Sequence, residues 1–203
     1  MREKLTIYYQ NYSIWFHLIA FIVLFLSTYA LRHYLFLDDN IVLQSSQKEI
    51  RTEEDLEKGY AGLHFIWSLF NLINLFKLTY SAFFIALFVS IFNKFKFKEL
   101  FKLALFALLV FVLENIAYTI YYLVFPPEII KDMNINVFSL QDLFYNEFLR
   151  FFFGQLSLFN ILYLILFAEL IRWFNEEKTK PEWIYLLVFA GFTIKILISY
   201  FIF

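Results

Sequence analysis

The sequence predicts an all-α fold: a polytopic membrane helix bundle of five transmembrane helices, with an interfacial amphipathic helix before the fourth. Three observations carry this. Of 203 residues, 62% are hydrophobic and only 17% are charged, where a soluble domain has about half apolar and a quarter charged. The excess falls in blocks long enough to cross a bilayer, which takes about 20 apolar residues per helix. What separates the blocks is charged or proline-bearing, as at 37–60, Lys94–Lys98 and Pro126–Pro127. Residues 1–203 therefore read as a single integral membrane domain.

The first block, about Ser13–Phe36, follows a basic start at Arg2 and Lys4. Its apolar core exceeds the roughly 7–15 residues of a signal-peptide core, so it reads as an uncleaved first span. Residues 37–60 form an outer polar loop. Within it, Arg51–Gly59 reads as a solvated stretch, short helix or disordered, closed by Gly59. The second block has its core at about Phe65–Phe92. The run from Gly62 to Asn93 would measure about 48 Å as one helix, against a hydrocarbon core of about 30 Å. It must tilt, break or project. Asn71, Asn74 and Lys77 step by three around one face of this helix, and that face should look at protein or water.

The third block, about Leu100–Phe125, stops at Pro126 and Pro127, which cannot continue the hydrogen-bond ladder. Ser139 with Asp142 three residues on resembles a helix N-cap. Leu140, Leu143, Phe144, Glu147, Phe148 and Phe151 follow at helical spacing. They predict an amphipathic helix along the outer interface, the simpler alternative being an extension of the fourth span. The fourth block is about Phe151–Phe174 and the fifth about Trp183–Phe203.

Lys and Arg counts near the span ends set the orientation. With the N-terminus inside, the inner segments carry nine: Arg2, Lys4, Lys94, Lys96, Lys98, Lys102, Arg172, Lys178 and Lys180. The outer segments carry six: Arg32, Lys48, Arg51, Lys58, Lys131 and Arg150. The expected orientation has the N-terminus inside and the C-terminus outside.

Charges inside the blocks need partners. With the inner boundary near Lys102 and Trp183, Glu114 and Lys195 each lie about 18 Å deep at 1.5 Å per residue. Asn115 and Asn160 lie about 20 Å deep, and Lys77 about 24 Å. Glu114, Asn115, Lys195, Asn160 and Lys77 thus define a buried polar layer. An unpaired charge there costs about 3 kcal/mol or more. The expected solution is a Glu114–Lys195 ion pair, hydrogen-bonded to Asn115 or Asn160, with Lys77 as alternative partner. Such a pair serves as a structural clamp, or else belongs to an ion relay or to a polar cavity for a headgroup or solute. Glu169 is expected at the inner interface or paired with Arg172 at i+3.

Other chemistry finds no motif. The chain has no cysteine, which excludes disulfides, thiolate catalysis and cysteine metal sites. His17, His33 and His64 show no metal-binding spacing, and the glycines form no nucleotide-binding pattern. His17 reads as a packed or interfacial residue. No GxSxG or HExxH occurs, so no enzyme, no cofactor, no metal and no nucleic acid are expected. Gly154 and Gly191 are the only glycines inside the blocks, few for a coupled transporter with broken helices.

Two segments carry a resemblance. Phe97–Leu109, "FKELFKLALFALL", opens the third span after a short basic loop. Ser157–Trp173, "SLFNILYLILFAELIRW", forms the fourth, before a charged turn and a last span. Over about residues 77–200 the chain resembles the Yip1-like five-span membrane proteins of bacterial type. The resemblance implies a five-span bundle with a cytosolic N-terminus, located in a bacterial inner (cytoplasmic) membrane. Two departures stand out: the inner loop lacks the family's glycines, and Glu169 occupies a region of small residues. No sizeable cytosolic N-terminal segment is expected, so the small-GTPase binding of eukaryotic members is not carried over. The leading expectation is a non-enzymatic scaffold or accessory subunit of a membrane complex, lipid-related, whose partners are the bilayer and other membrane proteins. The rival is a small transporter or permease component that uses the Glu114/Lys195 layer.

Overall fold

The computed structural model describes residues 13–36, 53–93, 95–125, 139, 141–174 and 180–202, and no strand occurs among them. The helices are α1 (Ile14–Phe36), α2 (Glu53–Phe92), α3 (Phe97–Ala107), α4 (Leu109–Val124), α5 (Glu147–Gln155), α6 (Leu158–Phe174) and α7 (Pro181–Ile202), with a 3-10 turn at Gln141–Leu143. Four helical stretches are long and apolar enough to cross a membrane: Ile14–Phe36, Glu57–Phe92, Phe97–Val124 and Pro181–Phe201. A fifth arises if α5 and α6, bent by 52°, form one broken span.

The third block is one path with a tightened turn rather than an uninterrupted α-helix. At Leu108 the ladder steps to an i→i−3 bond, Phe111 N–H to Leu108 O at 2.9 Å, while Leu108 keeps right-handed helical angles. This α3–α4 path is the centre of the bundle, 61% of its apolar window being buried against 22–28% in the other three spanning stretches. Around it, α3 packs on α1, α2 and α6, whereas α4 packs on α1 and α6. Helix α7 packs on α2, α6 and α5.

Small side chains explain the closest approach. Ala82 and Ala86 on α2, and Ala104 and Ala107 on α3, are fully enclosed. Such residues let helix backbones come together where lipid offers no hydrophobic drive. Gly191 does the same for α7, since a Cβ there would lie 2.9 Å from Phe88 Cδ1 on α2.

Three expectations change. The second block neither breaks nor starts at Gly62: α2 has 40 residues, about 60 Å, and so projects beyond any hydrocarbon core. Glu53–Gly59 belongs to its first turns, and Gly59 does not end a helix, because the helix runs on through it to Phe92. The rest of the expected outer loop, 37–52, lies outside the described residues. The helix before the fourth block starts at Glu147, not Ser139. Asn146 is its cap, accepting the Leu149 N–H at 3.1 Å, and the earlier Gln141–Leu143 forms only the 3-10 turn. That turn is held to α5 by Phe144 stacked on Phe153, ring centroids 4.1 Å apart.

At the α5–α6 bend, Ser157 caps the new helix. Its fully buried hydroxyl accepts the Asn160 N–H at 3.2 Å and Asn160 Nδ2 at 2.9 Å. The bundle thus has two unlike ends. One carries Lys96, Lys98, Arg172 and Lys180; the other gathers the C-termini of α1, α4 and α7 and the start of α6.

Candidate functional site

Helix α2 covers α3 but leaves α4, and the space it vacates is a cavity of about 380 Å³. Six helices frame it. Helix α1 contributes Phe25, Tyr29 and Arg32; α2 contributes Asn74, Lys77, Leu78 and Ser81; α4 contributes Phe111, Glu114, Asn115 and Tyr118. Gly154, Gln155, Ser157 and Asn160 enter from the α5–α6 bend, and Lys195 from α7. All five residues of the expected polar layer therefore line one space.

The expected ion pair is absent. Among the described residues Glu114 forms no ion pair with Lys195 or Lys77. The reason is helix order: α7 has no extensive contact with α4, because α6 and α2 hold it away. The charge that Glu114 feels is that of Arg32 on the neighbouring α1, while Lys195 faces the like charge of Lys77. The amides are engaged elsewhere. Asn115 Nδ2 donates to Thr28 Oγ1 on α1 at 3.4 Å, and Asn160 bonds Ser157 at the bend.

Arg32, counted from the sequence only as a charge near the outer end of the first span, is a further member of the cavity wall. Its side chain is 7% exposed. The guanidinium carbon lies 4.6 Å from the Tyr29 ring centroid and 5.4 Å from that of Tyr118, cation–π contacts that offset part of its desolvation. Its Nε is buried and donates to nothing in the described structure. A signal was available. Helical Cβ atoms tilt toward the helix N-terminus, so an arginine at the C-terminal end of a span points back into the bundle rather than out to water. Phe25, Tyr29 and Arg32 also repeat at i, i+4 and i+7, one helical face.

A second polar group lies at the other end. Arg172 Nη2 meets Glu169 Oε2 at 2.7 Å, the expected i+3 pair, and the Tyr185 hydroxyl on α7 donates to the same carboxylate. Glu169 is thus satisfied by its own helix and its neighbour. His17 is buried as expected, with Nδ1 3.0 Å from Ser13 O. Among the described residues no group of three His, Asp or Glu is placed to hold a metal ion.

No protein-family model, no curated protein and no solved structure matches the chain.

Proposed function

We propose that this chain is a non-enzymatic integral membrane protein that admits a polar solute or a lipid headgroup into the cavity, as a small transporter or permease component. One observation carries the reading. Three cations and one carboxylate, from four helices, border a shared space without an ion pair between them. A structural clamp requires its charges to meet, since breaking a buried pair costs about 3–5 kcal/mol. Separated charges around a space of this size suit a ligand site, typically about 300–1,000 Å³ with a few convergent polar groups. The half-broken α5–α6 passage supports the same reading, because discontinuous helices commonly border transporter sites.

Finer features are inferred from the sequence. The Lys/Arg bias supports a cytoplasmic N-terminus, which puts the cavity in the outer half, and the bacterial inner-membrane location rests on the resemblance. In that orientation α5 lies along the outer interface. Thr179→Cys should react with an impermeant thiol reagent only after permeabilisation; reaction in intact cells reverses the orientation. Kinship with the Yip1-like proteins rests on the two short segments alone. A scaffold role would need a partner surface, and nothing on the apolar exterior distinguishes one from a lipid-facing side.

The test of the cavity uses the absence of native cysteines. Ser81→Cys, at the cavity wall, should react with a small neutral water-soluble thiol reagent. Ala104→Cys, fully buried in the α2–α3 contact, should not. Equal inertness at both positions would mean a sealed void and sink the proposal.

A further inference from the structure

We infer that the ligand of this cavity is a phosphomonoester anion, either a free organic phosphate or the headgroup of an anionic lipid. This deepens the proposed function and rests on it. The charges are the first argument. Arg32, Lys77 and Lys195 against Glu114 leave a formal excess of two positive charges around one cavity. Glu114 answers Arg32, but Lys77 and Lys195 repel each other and form no ion pair among the described residues, the Lys195 ammonium lying 5.8 Å from the Phe192 ring centroid. Two like charges facing one cavity repel each other, and a dianion bound there offsets that repulsion.

Donor geometry is the second argument. Arg32 holds a planar guanidinium between two tyrosine rings, with its Nε unsatisfied. That group suits the oxygens of phosphate or carboxylate. The two lysines add point charges from α2 and α7. A carboxylate, with one charge, would leave one lysine uncompensated. A phosphomonoester carries about −1.5 to −2 charges and three strong acceptor oxygens, which matches three cationic side chains from three helices. The amide and hydroxyl groups of Asn74, Gln155 and Ser81 border the remainder, so the organic part attached to the phosphate is expected to be small and polar.

The experiment uses the full-length Ser81→Cys protein and thiol reagents of matched size but opposite charge. The anionic reagent should react about tenfold faster than the cationic one, and Lys77→Gln with Lys195→Gln should abolish that preference. The comparison within Ser81→Cys alone decides the sign of the cavity, so it stands even if the lysine variants fold poorly. Entry of the neutral reagent with no anionic preference overturns the anion assignment and leaves the cavity reading intact. Inertness to every reagent overturns both. Ligand identity is read by protection. Slowing by glycerol 3-phosphate, but not by glycerol, indicates a free phosphate ester. Slowing only in phosphatidylcholine liposomes that also contain phosphatidic acid indicates the lipid-borne form. Protection by neither overturns the phosphomonoester.

Discussion

Helices α3 and α4 follow one another through the bundle, yet one is dry and the other borders a charged cavity. Leu100, Ala104, Leu105, Ala107 and Leu108 are fully buried, enclosed by α1, α2 and α6. One turn further on, α4 divides its surface. Leu113, Ile116, Ile120 and Leu123 are exposed on the side suited to lipid, and Glu114, Asn115 and Tyr118 line the cavity. The difference lies in α2. Its half that faces α3 carries Ala82, Ile85, Ala86 and Val89, all fully buried. Its half toward the cavity carries Asn74, Lys77 and Leu78, and long side chains there cannot permit the same approach. Close helix contact is bought with alanine at one end and given up at the other, where polar side chains need room.

The largest effect that would test this contrast compares two leucines. Leu105→Ala, in the dry half, should lower bundle stability by about 2–5 kcal/mol, the usual cost of a core cavity. Leu78→Ala, at a wall that already borders open space, should cost under about 1 kcal/mol. Reversible unfolding in mixed micelles measures both, and equal losses would mean that the cavity is packed shut.

Next comes the α2–α7 contact. Gly191→Ala places a Cβ 2.9 Å from Phe88 Cδ1 and 3.3 Å from its Cβ, an overpacking expected to cost about 1–3 kcal/mol. Phe88→Leu in the same chain should return part of that loss. A neutral Gly191→Ala would show that α7 rides loosely on α2.

A smaller effect, of opposite sign, concerns the lysines. Lys195→Met should raise stability of the unliganded protein by on the order of 1 kcal/mol, because it removes repulsion from Lys77. Combined with Glu114→Gln, the two changes should add within about 0.5 kcal/mol, as for separate sites. Strong coupling in that cycle would restore the direct Glu114–Lys195 pair. Smallest of all is Thr28→Val, which removes the α1–α4 hydrogen bond from Asn115. Its expected cost is about 0.6 kcal/mol, the average for such bonds between membrane helices.

The sequence by itself determined the long apolar helices and the shared level of the polar residues. Block length and hydropathy place Ile14–Phe36 and Pro181–Ile202 within a few residues of their observed ends, because a helix of apolar residues needs no information from its neighbours to mark its own limits. Depth is equally local: with a rise of 1.5 Å per residue, counting alone puts Glu114, Lys195 and Asn160 at one level, and they do border one space. The Glu169–Arg172 pair was legible for the same reason, being set by spacing within one helix. Which charges face each other was decided only by the tertiary structure. That depends on helix order and on rotation about each axis, which follow from the summed contacts of whole surfaces. So α1 rather than α7 lies against α4, Arg32 rather than Lys195 answers Glu114, and the divergence of α2 from the central helix leaves their charges around a cavity instead of in a bond.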